Sequence, residues 1–169
     1  MNNEATGPKE KPEERIKFLL IASDNAEARL AAFFTGRRAR RSNARVVILY
    51  VMEPPEFGHW ATVAETMRAE AEEKAEALLE EFAAEVKAQS GEAPEVIMRE
   101  GELADELKKL IEEDQEIAIF FLGASADKSG PGPLVASLAT KPSYLGARPI
   151  PVTVVPGSMT RDELRRLSG

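Results

Sequence analysis

The chain of 169 residues is long enough for one domain with a full core and short for two. Its hydrophobic fraction of 43% and charged fraction of 30% are those of an ordinary soluble globular protein. A formal net charge of −7 argues against nonspecific binding to nucleic acid or anionic membrane, and the absence of cysteine removes disulfides, thiolate nucleophiles and cysteine-based metal sites.

Residues Met1 to Glu14 carry no periodic apolar position and read as a loose N-terminal tail. No apolar leader segment precedes the first strand and no later apolar run approaches a bilayer span, so a cytoplasmic location is expected. Ile16 to Ala22 is apolar on both faces, which suits a strand inside a sheet. Ser23-Asp24-Asn25 ends it, and a helix is predicted from Ala26 to about Arg41, with Leu30, Phe33 and Phe34 on one face. Asp24 stands three residues before Glu27, the spacing of a capping box. Arg37, Arg38, Arg40 and Arg41, with Arg45 just beyond, form the dense basic cluster of the chain. In an acidic protein such cations are read as solvated charges that offset the helix macrodipole, in preference to a nucleic-acid contact.

Val46 to Val51 is a second strand, apolar at every position. A loop from Met52 to Trp60 leads into a long helix in which Val63, Met67, Ala71, Ala75, Leu78, Leu79, Phe82 and Val86 keep helical spacing. His59 and Trp60 read as a surface or capping group and a packing or interface residue, because neither has a catalytic partner nearby. Ser90 to Pro94 breaks the helix, and Glu95 to Glu100 is a third strand whose terminal charges suit a sheet edge. Gly101 to Glu113 is amphipathic through Leu103, Leu107, Leu110 and Ile111. The apolar run Ile117 to Leu122 is the fourth strand and opens into the loop Gly123 to Ser137. A helix from about Pro133 to Thr140, stopped by Pro142, follows the loop; such a helix start offers bare N–H groups that attract phosphate. Ile150 to Val155 is the fifth strand, and Met159 to Leu167 a short polar tail helix with Thr160 and Glu163 in capping-box spacing.

Strands alternating with helices call for an open five-stranded parallel sheet with helices on both faces, a Rossmann-like α/β fold, over residues 15–156. Residues 157–169 are assigned to a C-terminal tail. The order 3-2-1-4-5 is preferred over 2-1-3-4-5 because it puts the charged third strand, not the apolar second, on an edge. It also sets a switch point between strands one and four, so a ligand crevice is expected between Asp24 and Gly123. The opposite edge is the apolar fifth strand, where Pro151 is tolerated. A homodimer through Ile150, Val152, Val154 and Val155 is expected to cover it.

Four segments in this order, Ala22-Ser-Asp24, Val51-Met-Glu-Pro-Pro55, the Gly123 loop with Ser137, and Pro151-Val-Thr-Val-Val155, resemble the universal stress protein family over about Ile16 to Pro156. The resemblance implies an adenine nucleotide alpha hydrolase-like fold and, in nucleotide-binding members, a loop of Gly, two residues, Gly, nine residues, Gly and Ser or Thr. Those positions are Gly123, Ala126, Ala136 and Ser137 here, so two of three glycines are alanines. By the same resemblance ATP or AMP would lie near Ala22, Asp24 and Val51, with phosphates on the loop backbone and Ser137. Asp24 has two compatible readings, helix cap and ribose ligand.

Alanine lacks glycine's access to positive φ and its close backbone approach. Gly130 and Gly132 can restore the turn in a shifted register, Lys128 can supply a cation, and Ser129 lies in the same segment of the site. Ser125, Ser129 and Ser137 have neither a histidine nor a Gly-x-Ser-x-Gly elbow beside them, so no catalytic residue is assigned, and no metal-ligand spacing is present. The expectation is a non-catalytic, dimeric stress-response protein with a weak adenine-nucleotide site and unidentified protein partners. A nucleotide-free interaction module and an ATP hydrolase of the same fold are the alternatives.

Overall fold

The apolar runs become buried strands and the periodic segments become the helices that cover them. A computed structural model describes residues 15–54, 61–141, 145–146 and 148–169, the side chains of 61–64 excepted. The strands are β1 (Lys17–Ile21), β2 (Arg45–Met52), β3 (Glu95–Glu100), β4 (Ile117–Ala124) and β5 (Val152–Pro156). The helices are α1 (Ala26–Ser42), α2 (Ala61–Ser90), α3 (Leu103–Glu113), α4 (Pro133–Thr140) and α5 (Arg161–Leu167). The strands pair in parallel in the order β3-β2-β1-β4-β5, as the charge on the third strand and the continuous apolarity of the second imply. The segment 1–14, Pro55, His59, Trp60 and Pro142 lie outside the described residues.

Alternate side chains of the central strands serve two cores. Phe18, Leu20, Val46, Ile48 and Phe121 meet α1, α2 and α5 on one face. Leu19, Val47, Leu49, Phe120 and Leu122 meet α3 and α4 on the other. A register shift between β1 and β4 pairs Lys17 with Ile117 but Phe18 with Ile119, leaving Ala118 as the extra residue of a bulge. Lys17 is only 8% exposed, although its strand is otherwise apolar. Its ammonium lies 2.8 Å from Asp114, 3.1 Å from Glu95 and 3.3 Å from Glu116, tying the start of the sheet to the turn before β4. The bond to Asp114 first of all holds its pKa above the ordinary lysine range.

Helix α1 begins at Asn25, not at Asp24 as the capping-box spacing implies. Asn25 is extended, with φ −152° and ψ 164°, and its side-chain oxygen accepts from the Ala28 N–H at 2.8 Å. Asp24 is instead drawn to Arg29, whose guanidinium donates to it at 2.8 Å. The helix ends at Asn43, left-handed at φ 52°, whose N–H returns to the carbonyls of Ala39 and Arg40. In α2 the apolar stripe is buried from Ala75 through Val86, whereas Met67, nearer the start of the helix, is 40% exposed.

Two segments are more deeply engaged than their sequence suggests. Gly123 and Ala124 extend β4, and a Cβ built on Gly123 would lie 2.4 Å from the carbonyl carbon and oxygen of Glu27. The first turn of α1 therefore rests directly on the Gly123 backbone. The C-terminal segment, read as a polar tail, docks instead: Leu164 is 2% exposed in the α1–α2 core. Arg161 stacks over Phe33 at 4.8 Å, and the Thr160–Glu163 capping box forms as spaced. A short helix with one buried apolar residue becomes structural because that residue meets a preformed groove.

Gly123→Ala should push α1 off the sheet, lower the melting temperature and cost about 1–3 kcal/mol in urea unfolding, as overpacking against backbone does. Leu164→Ala should cost about 2–5 kcal/mol in the same assay, and a surface-like change near zero would mean that α5 is not part of the folding unit.

Candidate functional site

The strand order reverses between β1 and β4, and a crevice of about 260 Å³ opens at that point. Ile21 and Leu122 at the strand ends, with Leu134 and Val135 of α4, give it apolar walls, and Leu103 at the start of α3 closes one side. Its polar groups come from the β1–α1 turn: Ser23, Asn25 and Glu27. Asn25 is occupied twice, accepting from Ala28 N–H and donating from its amide to Ser23 Oγ at 2.9 Å. Glu27 is the one charged side chain among the lining residues, so the crevice has negative rather than positive character.

The loop from Ser125 to Gly132 forms the rim and closes mainly on itself. The Ser125 N–H donates to the Pro131 carbonyl at 3.1 Å, and the Gly130 N–H to the Asp127 carbonyl at 3.1 Å. The Asp127 N–H donates to Ser125 Oγ at 3.1 Å, and the Lys128 N–H to Asp127 Oδ1 at 2.6 Å. Pro131 and Pro133 have no N–H at all. Most donors that would cradle a phosphate are thus consumed internally or absent.

The left-handed residues of the loop are Gly130 at φ 104° and Gly132 at φ 107°. Ala126 and Ala136 have no positive φ, so neither carries the strain their glycine-like positions suggest. The turn has moved to the two later glycines, the shifted register that the loop sequence allows. Ala136 lies in the first turn of α4 and donates its N–H to the Gly132 carbonyl at 3.1 Å. Ser137 is half-buried one position further along that helix.

Of the residues expected to bind nucleotide, Gly123 lines the crevice, and its missing side chain makes room for α1. Ala22 is buried in the core beside α1, its N–H bonded to the Leu49 carbonyl, and Val51 is half-buried on the α3–α4 side. Ala126, Lys128 and Ser129 are exposed on the rim beside Gly130, and Ala136 is exposed on α4. The Asp24 side chain is 82% exposed and turned toward α2 through the Arg29–Glu81 pair. That hydrogen bond from Arg29 holds the Glu81 carboxyl below the usual carboxylate range. A carboxyl depressed by folding stabilises above its unfolded pKa, so the α1–α2 bridge contributes at neutral pH and is lost on acidification.

The crevice residues that the loop motif does not flag are Ser23, Asn25, Glu27, Leu103, Leu134 and Val135. Asn25 is the most legible of them, as a preferred capping residue directly before Ala26. Among the described residues no group of His, Asp or Glu is disposed to hold a metal ion. No helix of the described residues is long and apolar enough to cross a membrane.

A model of the universal stress protein family matches residues 16–156. No curated protein matches the sequence. The fold is similar to that of the universal stress protein UspA from Lactobacillus plantarum, with TM-score 0.69 and 16% identity, covering 83% of this chain and 97% of that one. It is similar also to a universal stress protein in complex with cAMP, with TM-score 0.56 and 18% identity over 85% of this chain and 98% of that one. The universal stress protein from Archaeoglobus fulgidus in complex with dAMP aligns with TM-score 0.55 and 13% identity, covering 83% of this chain and 97% of its own.

Replacing Ala126 and Ala136 together by glycine should leave nucleotide affinity unchanged in calorimetric titration, because neither alanine is strained. The Ala136 change alone should cost about 1 kcal/mol in unfolding, the penalty for glycine within a helix. A clear gain in affinity would show that backbone approach at these two positions is the obstacle after all.

Proposed function

The chain belongs to the universal stress protein family, and from that premise we propose a non-catalytic, homodimeric stress-response protein of the cytoplasm. Its switch-point crevice binds the nucleoside part of an adenine nucleotide weakly and disfavours a polyphosphate. The observation that carries this reading is the combination of an apolar crevice of about 260 Å³ with Glu27 as its charged lining residue. That volume is at the small end for ligand sites, which suits a nucleoside or monophosphate. Negative charge on the lining residue Glu27 opposes phosphate charge, and the loop spends the N–H groups of Ser125, Asp127, Lys128 and Gly130 on itself. The relatives complexed with cAMP and dAMP carry one phosphate each, which supports a ligand of low charge.

The internal bonding of the loop also favours a second reading, a nucleotide-free module that works through protein contacts. A hydrolase is the least supported: Ser125 Oγ is engaged in accepting the Asp127 N–H. The dimer is proposed through β5, where Val154 is 40% exposed beside half-buried Val152 and Ile150. Val155, expected at the same interface, is 2% exposed in the core and would support the edge from behind.

Titration calorimetry and thermal shift with adenosine, AMP, cAMP and ATP test the ligand. Stabilisation by adenosine, AMP or cAMP that exceeds that by ATP is expected, with Glu27→Gln narrowing the difference. No stabilisation by any of them at millimolar concentration would sink the nucleotide reading and leave the interaction module. Release of phosphate from ATP, abolished by Ser137→Ala, would overturn the non-catalytic assignment.

For the dimer, Val154→Asp should give monomer in light scattering at a concentration where the parent protein is dimeric, since a buried unpaired charge is costly. Persistence of the dimer would move the interface off β5.

A further inference from the structure

The strongest basic feature of this acidic chain lies at the opposite end of α1 from the crevice. Arg37, Arg40 and Arg41 share one helical face at spacings of three and four residues and open onto a cavity of about 460 Å³. The facing wall comes from Ala88 and Gln89 of α2 and from Ser168 and Gly169 beyond α5, and carries no acidic side chain. The chain has 29 acidic and 22 basic residues. Several arginines elsewhere find carboxylates: Arg15 meets Glu92, Arg29 meets Glu81, Arg99 meets Glu113, Arg161 meets Glu85, and Arg165 meets Asp162. None of the three cavity arginines has an ion-pair partner among the described residues.

Offsetting the α1 macrodipole accounts for cations in the last turn, Arg40 and Arg41. It does not account for a third like charge one turn earlier, where i and i+4 repulsion is unfavourable. Arg37 is also held in place. Its Nε donates to Ser168 Oγ at 2.7 Å, and its guanidinium lies 5.7 Å from the centre of the Phe33 ring. Ser168 is 2% exposed and donates in turn to the Arg165 carbonyl at 3.2 Å. Arg161 and Arg165 stack on the same Phe33 ring while each keeps its own carboxylate partner. That wall supplies the Gln89 side chain as a further hydrogen-bonding group.

We propose that this cavity is a binding site for a small multivalent phosphoryl anion, separate from the switch-point crevice. Planar guanidinium groups on adjacent turns suit the bidentate recognition of phosphoryl oxygens, and two or more phosphoryl groups match three cations better than one. Arg37 is the pre-positioned member; Arg40 and Arg41 close on the anion from the solvent side. The site gives the chain a second input that does not depend on whether the crevice holds a nucleotide.

The probe is inorganic pyrophosphate, titrated into the full chain by calorimetry and by amide NMR. Binding is expected to exceed any effect of sodium chloride at equal ionic strength, to exceed that of orthophosphate, and to shift the Gln89 and Ser168 resonances while sparing Ser23 and Gly132. Arg40→Gln with Arg41→Gln should weaken it about tenfold or more, the scale of losing charge-assisted hydrogen bonds. Arg45→Gln, outside the cavity, should not weaken it. Any of three results overturns the proposal: no response beyond that of sodium chloride, undiminished affinity in the folded double variant, or shifts confined to Ser23 and Gly132. The last would assign the anion to the crevice. The NMR map on the unaltered chain decides the location even if the double variant is unstable.

Discussion

The backbone contact between Gly123 and the first turn of α1 is the constraint on which the rest of the arrangement depends. With no side chain at Gly123, the Glu27 carbonyl approaches closely enough that even a methyl group would overlap it. That approach seats α1 across β4, brings its capped N-terminus to the switch point and places Glu27 among the residues that line the crevice. The same contact that shapes the pocket therefore sets its charge. A glycine whose position in the family motif suggests approach by a phosphate is used here for approach by the protein's own helix.

Because α1 runs back along the sheet for 17 residues, about 25 Å at 1.5 Å per residue, it gives the molecule two unlike ends. The N-terminal end is lined by Ser23, Asn25 and Glu27, with the loop donors turned inward. The C-terminal end carries Arg37, Arg40 and Arg41 around a cavity with no acidic side chain in its lining. Between the ends the charges are mostly structural: Lys17 gathers Asp114, Glu95 and Glu116 at the start of the sheet, and Arg29 bridges Asp24 and Glu81 between α1 and α2. An acidic total thus hides a separation of charge along one helix.

The relation of the loop to the family pattern follows from local chemistry. Positive φ is needed in any tight turn after β4, and in this chain Gly130 and Gly132 supply it. Once they do, Ala126 and Ala136 are free to take ordinary conformations, and Ala136 becomes part of α4. The two proline substitutes for N–H donors, Pro131 and Pro133, complete the change from an open cradle to a rim that satisfies its own backbone.

Apolar runs and periodicity, with the proline and capping-box signals of the last two helices, made all ten elements legible, and charge placement on the third strand selected the strand order, because burial within a layered sheet is written in each segment's own residues. The switch point followed from that order. The sequence by itself also determined the Thr160–Glu163 cap, which is a local exchange over three residues. It did not distinguish Asp24 from Asn25 as the α1 cap, because the Asp24 carboxylate accepts from Arg29, which is held in turn by Glu81, 52 residues further along. Nor did it reveal that Leu164 enters the core, that Val155 faces inward, or that Arg37 is held by Ser168 across 131 residues. Only the tertiary structure decided these, since each depends on a surface that exists only after distant segments have packed, and no local pattern encodes which partner will be there.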